Sequence, residues 1–308
     1  MITVDSTSID LSHLNGKALE KYFHTFTGLD LSNTHKKSFA GSETGSDILL
    51  FVIETMPNAI VDFTKNTKNL PGISKLADNA FISSKHFTTY PYTTNAIFSL
   101  LSSCYPIRIH QDYLNSINQF NQFGLMSILA ENAYHTSVYS PIANGYFADL
   151  PLYQLLGSEK VYLAPEKYFL PDQVEKKVQD FTKTLPVFKT SPEKQLKKIH
   201  DKLFFDLMAF EKLKADITGW KMSDERFIAL FFPVLSHGPW PDLYDRKNID
   251  DAGHDLALIQ LKWLDDLVVF LEQKHWLQNT IVLVTSDHGV RTAEEYKTLP
   301  PGMINMYS

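Results

Sequence analysis

A single cysteine, Cys104, in 308 residues leaves no partner for an intramolecular disulfide and no thiolate set for a zinc cluster, although it does not fix the compartment. No stretch is both long and apolar enough to span a bilayer, and residues 1–30 lack the basic-then-apolar pattern of a secretory leader. A basic excess is missing too: 29 Lys and Arg stand against 35 Asp and Glu, for a net charge of -6. That balance gives no electrostatic footprint for nucleic acid, and no basic run suits an anionic membrane surface. There is no internal repeat. What remains is a chain whose partners are small or local.

What the chain does have is apolar residues, 44% of the total, enough to fill the core of one main domain. Asp47-Ile48-Leu49-Leu50-Phe51-Val52-Ile53, Arg226-Phe227-Ile228-Ala229-Leu230-Phe231-Phe232 and Thr280-Ile281-Val282-Leu283-Val284-Thr285 are apolar runs without alternation, as expected of parallel strands covered on both faces. Gly124 to Ala133 reads as a helix feeding a strand at Tyr134–Tyr139, and Asp255 to Trp276 as an amphipathic helix with Leu256, Ile259, Trp263, Leu267 and Phe270 on one face. Ile73, Leu76 and Ala77 mark a further helical piece, and Ala80-Phe81-Ile82 the start of another strand. The class is therefore α/β, a mostly parallel central sheet flanked by helices on both faces. Residues 1–46 read as a peripheral N-terminal segment ending in a linker-like stretch, and 47–308 as the domain proper. Within it, 171–219 is charged and helical, and reads as an insertion or peripheral helices.

In open α/β sheets ligands bind outside the carboxyl ends of the strands, so polar residues at those tips carry most of the information. Glu54-Thr55 follow the first run, His237 follows the 226–232 run, and Asp287-His288-Gly289 follow the 280–285 run. Glu54, Asp287 and His288 are metal-capable side chains. Thr93-Thr94-Asn95 precede the apolar helix Ala96–Leu101. Such hydroxyls are ordinarily N-caps, but the same place offers orphan N–H groups and a favourable dipole for an anionic phosphate or sulfate beside a hydroxyl nucleophile.

Four such features in this order resemble the sulfatase/alkaline-phosphatase superfamily, and within it the branch of lipoteichoic acid synthases and phosphoethanolamine transferases. Ile53-Glu54-Thr55 looks like that branch's first metal motif. The run Leu129 to Tyr139 looks like its helix-to-strand segment, and Asn279 to Gly289 is the most specific match. The resemblance implies an alkaline-phosphatase-like fold and one divalent ion, Zn²⁺ or Mn²⁺, held by Glu54, Thr93, Asp287 and His288. Counting back from Tyr105-Pro106, as the family's spacing implies, selects Thr93 as nucleophile, with Thr94 the close alternative. A threonine hydroxyl is a poor nucleophile at neutral pH and needs such a Lewis acid. His237 would serve as general acid or phosphate contact, and Arg291 would add charge stabilisation.

The activity so implied is hydrolysis or transfer of a phosphate ester with a phosphoethanolamine- or phosphoglycerol-type headgroup, free or on a lipid. Arylsulfatases need cysteine or serine in a Cys-x-Pro-x-Arg setting, and Thr93-Thr94-Asn95-Ala96-Ile97 supplies neither. Sulfate-ester hydrolysis and a non-catalytic sensor retaining the fold are the alternatives. Phe147 and Asp149 stand where lipoteichoic acid synthases have tryptophan and arginine, so that family's headgroup contact does not carry over. The resemblance also implies an extracytoplasmic location, with membrane contact only through segments absent from this chain, and a C-terminal truncation, since the family continues through another strand.

Overall fold

A computed structural model describes residues 45–56, 70–81, 93–103, 124–141, 149–163, 171–183, 193–237 and 249–289. Apart from Gly45 these belong to one compact unit, Ser46–Ser308. In chain order the elements are β1 (Asp47–Ile53), α1 (Pro71–Asn79), α2 (Thr93–Ser102), α3 (Leu125–Glu131), β2 (Tyr134–Tyr139), α4 (Asp149–Leu155), β3 (Lys160–Tyr162), α5 (Pro171–Thr182), α6 (Glu193–Met222), β4 (Arg226–Phe231), α7 (Ile249–Gln273) and β5 (Thr280–Ser286). The strands form one sheet in the order β3-β2-β4-β1-β5, and every pairing is parallel.

Alternation along the central strands sorts the core into two layers. Leu49, Phe51 and Ile53 of β1, with Phe227, Ala229 and Phe231 of β4, face α1, α6 and α7. Leu50, Val52, Ile228 and Leu230 face the opposite way, against Ile97, Phe98 and Leu101 of α2, Met126 of α3 and Leu152, Tyr153 and Leu156 in and after α4. Both faces are thus buried, which is why these strands read as unbroken apolar runs. Each fully buried Leu, Ile or Phe contributes about 1.5–3 kcal/mol.

The expectation that 171–219 is peripheral fails for α6. Ile199, Leu203, Leu207, Phe210, Leu213, Ile217 and Trp220 recur at intervals of three or four and are all buried in the core. Charged residues such as Lys197, Asp201, Glu211 and Lys214 lie outside that stripe and are exposed or partly so, which is what suggested a solvated segment. Ala80 and Phe81 lie outside any strand, with Phe81 exposed, whereas β3 is a three-residue strand in a segment whose sequence shows no strand pattern. The helix read at 255–276 spans Ile249–Gln273. Its end is set by His275 at φ 60°, with Trp276 N–H donating to Leu271 O and His275 N–H to Glu272 O, the Schellman pattern. Gly157 closes α4 in the same way at φ +94°, and a Cβ there would fall 2.3 Å from Ser127 N of α3. Among the described residues no helix is long and apolar enough to cross a membrane.

Helix α1 is capped from a distance: Asp265 of α7, itself buried, accepts the N–H groups of Gly72 (2.6 Å) and Ile73 (3.1 Å) through Oδ1. No side chain at position 70 does this. Asp265→Ala leaves two buried donors without their acceptor, so it should destabilise the protein by about 1–3 kcal/mol, read as a lower denaturation midpoint at unchanged m-value.

Candidate functional site

Parallel pairing builds the site. Ile53 stands opposite Ser286 at the carboxyl ends of β1 and β5, so the residues that follow, Glu54 and Asp287, leave the sheet side by side. Ser286 Oγ ties the two ends together by donating to Ile53 O (2.8 Å) and accepting Met56 N–H (3.2 Å). Glu54 and Asp287 are buried, and His288 is partly so. One ligand atom from each of the three lies within 4.8 Å of the others. His288 Nε2 is 3.3 Å from Asp287 Oδ2 and 3.9 Å from Glu54 Oε1.

The fourth side chain arrives from the other side of the sheet. Helix α2 opens at Thr93, whose Oγ1 lies 3.2 Å from His288 Nε2 and 3.4 Å from Glu54 Oε1. The His288 Nδ1 nitrogen is 3.0 Å from Gly289 O, which can only accept, so in the neutral ring Nδ1 carries the proton and Nε2 turns a lone pair to the cluster. Asp287 Oδ1 is taken by two backbone donors, Thr55 N–H (2.8 Å) and His288 N–H (2.7 Å). The centre is therefore rich in acceptors. Glu54 Oε2 is buried with no hydrogen-bond partner among the described residues. Burial, and then the Asp287 charge, push the Glu54 carboxyl well above its ordinary range, against the Thr55 and Thr93 hydroxyls and Lys202. Two buried carboxylates, an imidazole lone pair and a hydroxyl are a donor set that a divalent cation satisfies, and these residues fit one.

The family profile described as Sulfatase matches residues 46–305. The chain belongs to the sulfatase family. Among solved structures, the lipoteichoic acid synthase LtaP from Listeria monocytogenes aligns with 94% of this chain and 69% of its own at 15% identity, with a TM-score of 0.62. An alkaline phosphatase superfamily protein from Vibrio parahaemolyticus aligns over 80% of this chain and 55% of its own at 14% identity, with a TM-score of 0.57. The PsFucS1 sulfatase from Pseudoalteromonas sp. aligns over 88% and 58% at 15% identity, with a TM-score of 0.51. The chain thus spans less than two thirds of the latter two structures, and at these identities the likeness is one of fold. A sequence comparison with curated proteins finds no match.

In this sulfatase-family domain Glu54, Thr93, Asp287 and His288 come together at one sheet edge. His237 sits in the turn after β4, next to Ser236, whose Oγ donates to Glu54 O (2.6 Å). Arg291 lies outside the described residues, as do Tyr105 and Pro106, from which the threonine was counted. Several further residues support the site in ways the sequence does not show, although Thr55 stands in the Ile53-Glu54-Thr55 motif. Thr55 contacts both acidic side chains. Gln260 of α7, fully buried, donates to Ser236 Oγ. From α6, Lys202 Nζ donates to His237 O (2.7 Å), and one turn later Asp206 accepts Val234 N–H (2.8 Å) and Leu235 N–H (2.9 Å). In sequence Lys202 and Asp206 look like an ordinary exposed i,i+4 pair. Only the apolar stripe beside them, at 199, 203 and 207, hints that they face inward.

Burial pushes the Asp206 carboxyl up to about 7, against the Val234 and Leu235 N–H groups and the Lys202 charge. Its pKa is thus raised on folding from an unfolded value of about 3.9, and folding takes up a proton there. The stability this contributes is full below about pH 4 and is lost as pH rises through about 7. Asp206→Asn cannot titrate, so wild type should lose stability relative to this variant between pH 5 and pH 8 in matched denaturant titrations. A difference that stays constant with pH would contradict this.

Proposed function

We propose that the protein is a metal-dependent phosphate-ester hydrolase or transferase that works through a covalent phosphothreonine at Thr93. The observation that carries this reading is the Thr93 hydroxyl at the first position of a buried helix, within 3.4 Å of both Glu54 and His288. Membership of the sulfatase family supports an ester-cleaving reaction, and threonine in place of cysteine or serine favours phosphorus over sulfur as the centre attacked. Glu54, Asp287, His288 and Thr93 would hold the ion, Zn²⁺ or Mn²⁺, which when bound supplies a Lewis acid that favours the ionised hydroxyl and polarises the ester.

The residues divide the remaining work. Thr93 Oγ forms a bond to phosphorus while the bond to the leaving alcohol breaks, and the first-turn N–H groups of α2 receive the non-bridging oxygens. With Thr93 reacting in its ionised form, His237 delivers a proton to the departing alcohol and takes one back from the water or acceptor alcohol of the next step. Water or an acceptor alcohol then attacks the phosphothreonine and restores Thr93. The substrate is a small-molecule or lipid-headgroup ester of phosphoethanolamine or phosphoglycerol type, met at an extracytoplasmic location.

Elemental analysis of purified protein tests the metal directly: wild type should carry one Zn²⁺ or Mn²⁺, and Asp287→Ala should carry none, whereas full retention would sink the site. Thr93→Ala should lose turnover of phosphodiester test substrates by orders of magnitude with the fold intact. Thr94→Ala should cost about 1 kcal/mol at most, because Thr94 Oγ1 is buried without a hydrogen-bond partner among the described residues. Equal losses, or phosphate found on Thr94 by mass spectrometry of trapped protein, would shift the assignment to the neighbour.

A further inference from the structure

Thr55 follows Glu54 with a backbone φ of 55°. That left-handed conformation is disfavoured for any side chain and most of all for a β-branched one, and glycine is the ordinary solution. A threonine kept there points to a use for its side chain. Thr55 is 7% exposed, its N–H donates to Asp287 Oδ1 at 2.8 Å, and its hydroxyl donates to Glu54 Oε1. One strained residue thus addresses both acidic side chains of the cluster, which come from different strands. Glu54 Oε1 is also the oxygen of that carboxylate that faces Thr93 Oγ1, at 3.4 Å, and His288 Nε2, at 3.9 Å, so holding it sets the geometry that the other two residues meet.

We propose that Thr55 is a positioning residue for the Glu54, Asp287 and His288 cluster, its hydroxyl orienting the Glu54 carboxylate and its N–H orienting Asp287. The inference rests on the metal reading given above and deepens it. The two donors separate experimentally, because every replacement except proline keeps the N–H and only serine keeps the hydroxyl. Groups that orient a ligand from behind typically change metal affinity about 10–100-fold when removed.

The test is calorimetric titration of Mn²⁺ into metal-free wild type, Thr55→Ser, Thr55→Val and Thr55→Gly, with thermal unfolding of each metal-free protein. Thr55→Ser should bind within about threefold of wild type, and Thr55→Val and Thr55→Gly about 10–100-fold more weakly. Glycine accepts the positive φ, so Thr55→Gly should unfold no earlier than wild type while still binding poorly, which separates ligand orientation from folding. Wild-type affinity in the valine and glycine variants would overturn the proposal, as would a serine variant as weak as valine. A wild-type protein that takes up no Mn²⁺ in this titration and carries no Zn²⁺ by elemental analysis would instead remove the metal reading itself, and Thr55's role with it.

Discussion

Two carboxylates buried side by side at the ends of adjacent parallel strands are the constraint to which the rest of the site answers. The Ile53–Ser286 register leaves Glu54 and Asp287 no other place to go, and neighbouring strands are only about 4.8 Å apart. Burial away from water, and then the Asp287 charge at that separation, oppose ionisation of Glu54 and push its carboxyl well above the ordinary range. Everything close by works against that penalty: two backbone N–H groups on Asp287, two hydroxyls near Glu54, and the Lys202 charge on the helix behind. A fold under selection for stability alone would replace such a pair by apolar residues, so its presence calls for a reason other than stability.

The supports come from both layers of the domain. From one face, α2 delivers Thr93 as the first residue of a helix whose Ile97, Phe98 and Leu101 are packed in the core, so the hydroxyl's position is set by burial several residues away. On the other, α6 and α7 reach the turn after β4: Asp206 holds Val234 and Leu235, Lys202 holds the carbonyl of His237, and Gln260 holds Ser236, which in turn holds the carbonyl of Glu54. Helix α6 is therefore both a core element and the brace for the turn carrying His237.

This arrangement explains which parts of the molecule are legible in sequence. The strands β1 and β4 are readable because a strand covered on both faces is apolar almost throughout, and the polar residues just beyond it stand out by contrast; β5 shares the apolar run but lies at the sheet edge, only partly buried and with Leu283 exposed, so its run overstates its burial. Glu54, Asp287 and His288 are readable for the same reason. β3 is not, since three residues hold no period. The core role of α6 is masked by its composition: Lys and Glu between Ile199 and Trp220 lower the average, while the spacing 199, 203, 207, 210, 213, 217, 220 carries the signal. Lys202, Asp206 and Gln260, and the role of Thr55 within its strand-tip motif, are illegible for a deeper reason. Each acts on a partner distant in sequence, 232 residues away for Thr55 and Asp287, and nothing local distinguishes them from a loop hydroxyl or a surface charge.

The same contrast bears on what likeness of fold conveys about chemistry. At positions such as Leu49, Phe51 or Ile228 the sheet requires an apolar residue of about the same volume, because alternation and volume are what its two layers demand. Such a sheet persists through nearly complete turnover of sequence. The site obeys a stricter rule. Aspartate for Glu54 would withdraw the carboxylate by a methylene, and glutamate for Asp287 would disturb an oxygen already bonded to two backbone N–H groups. Reaction and substrate therefore follow from these few atoms and from what approaches them, while the parallel sheet fixes only where on the molecule they are found.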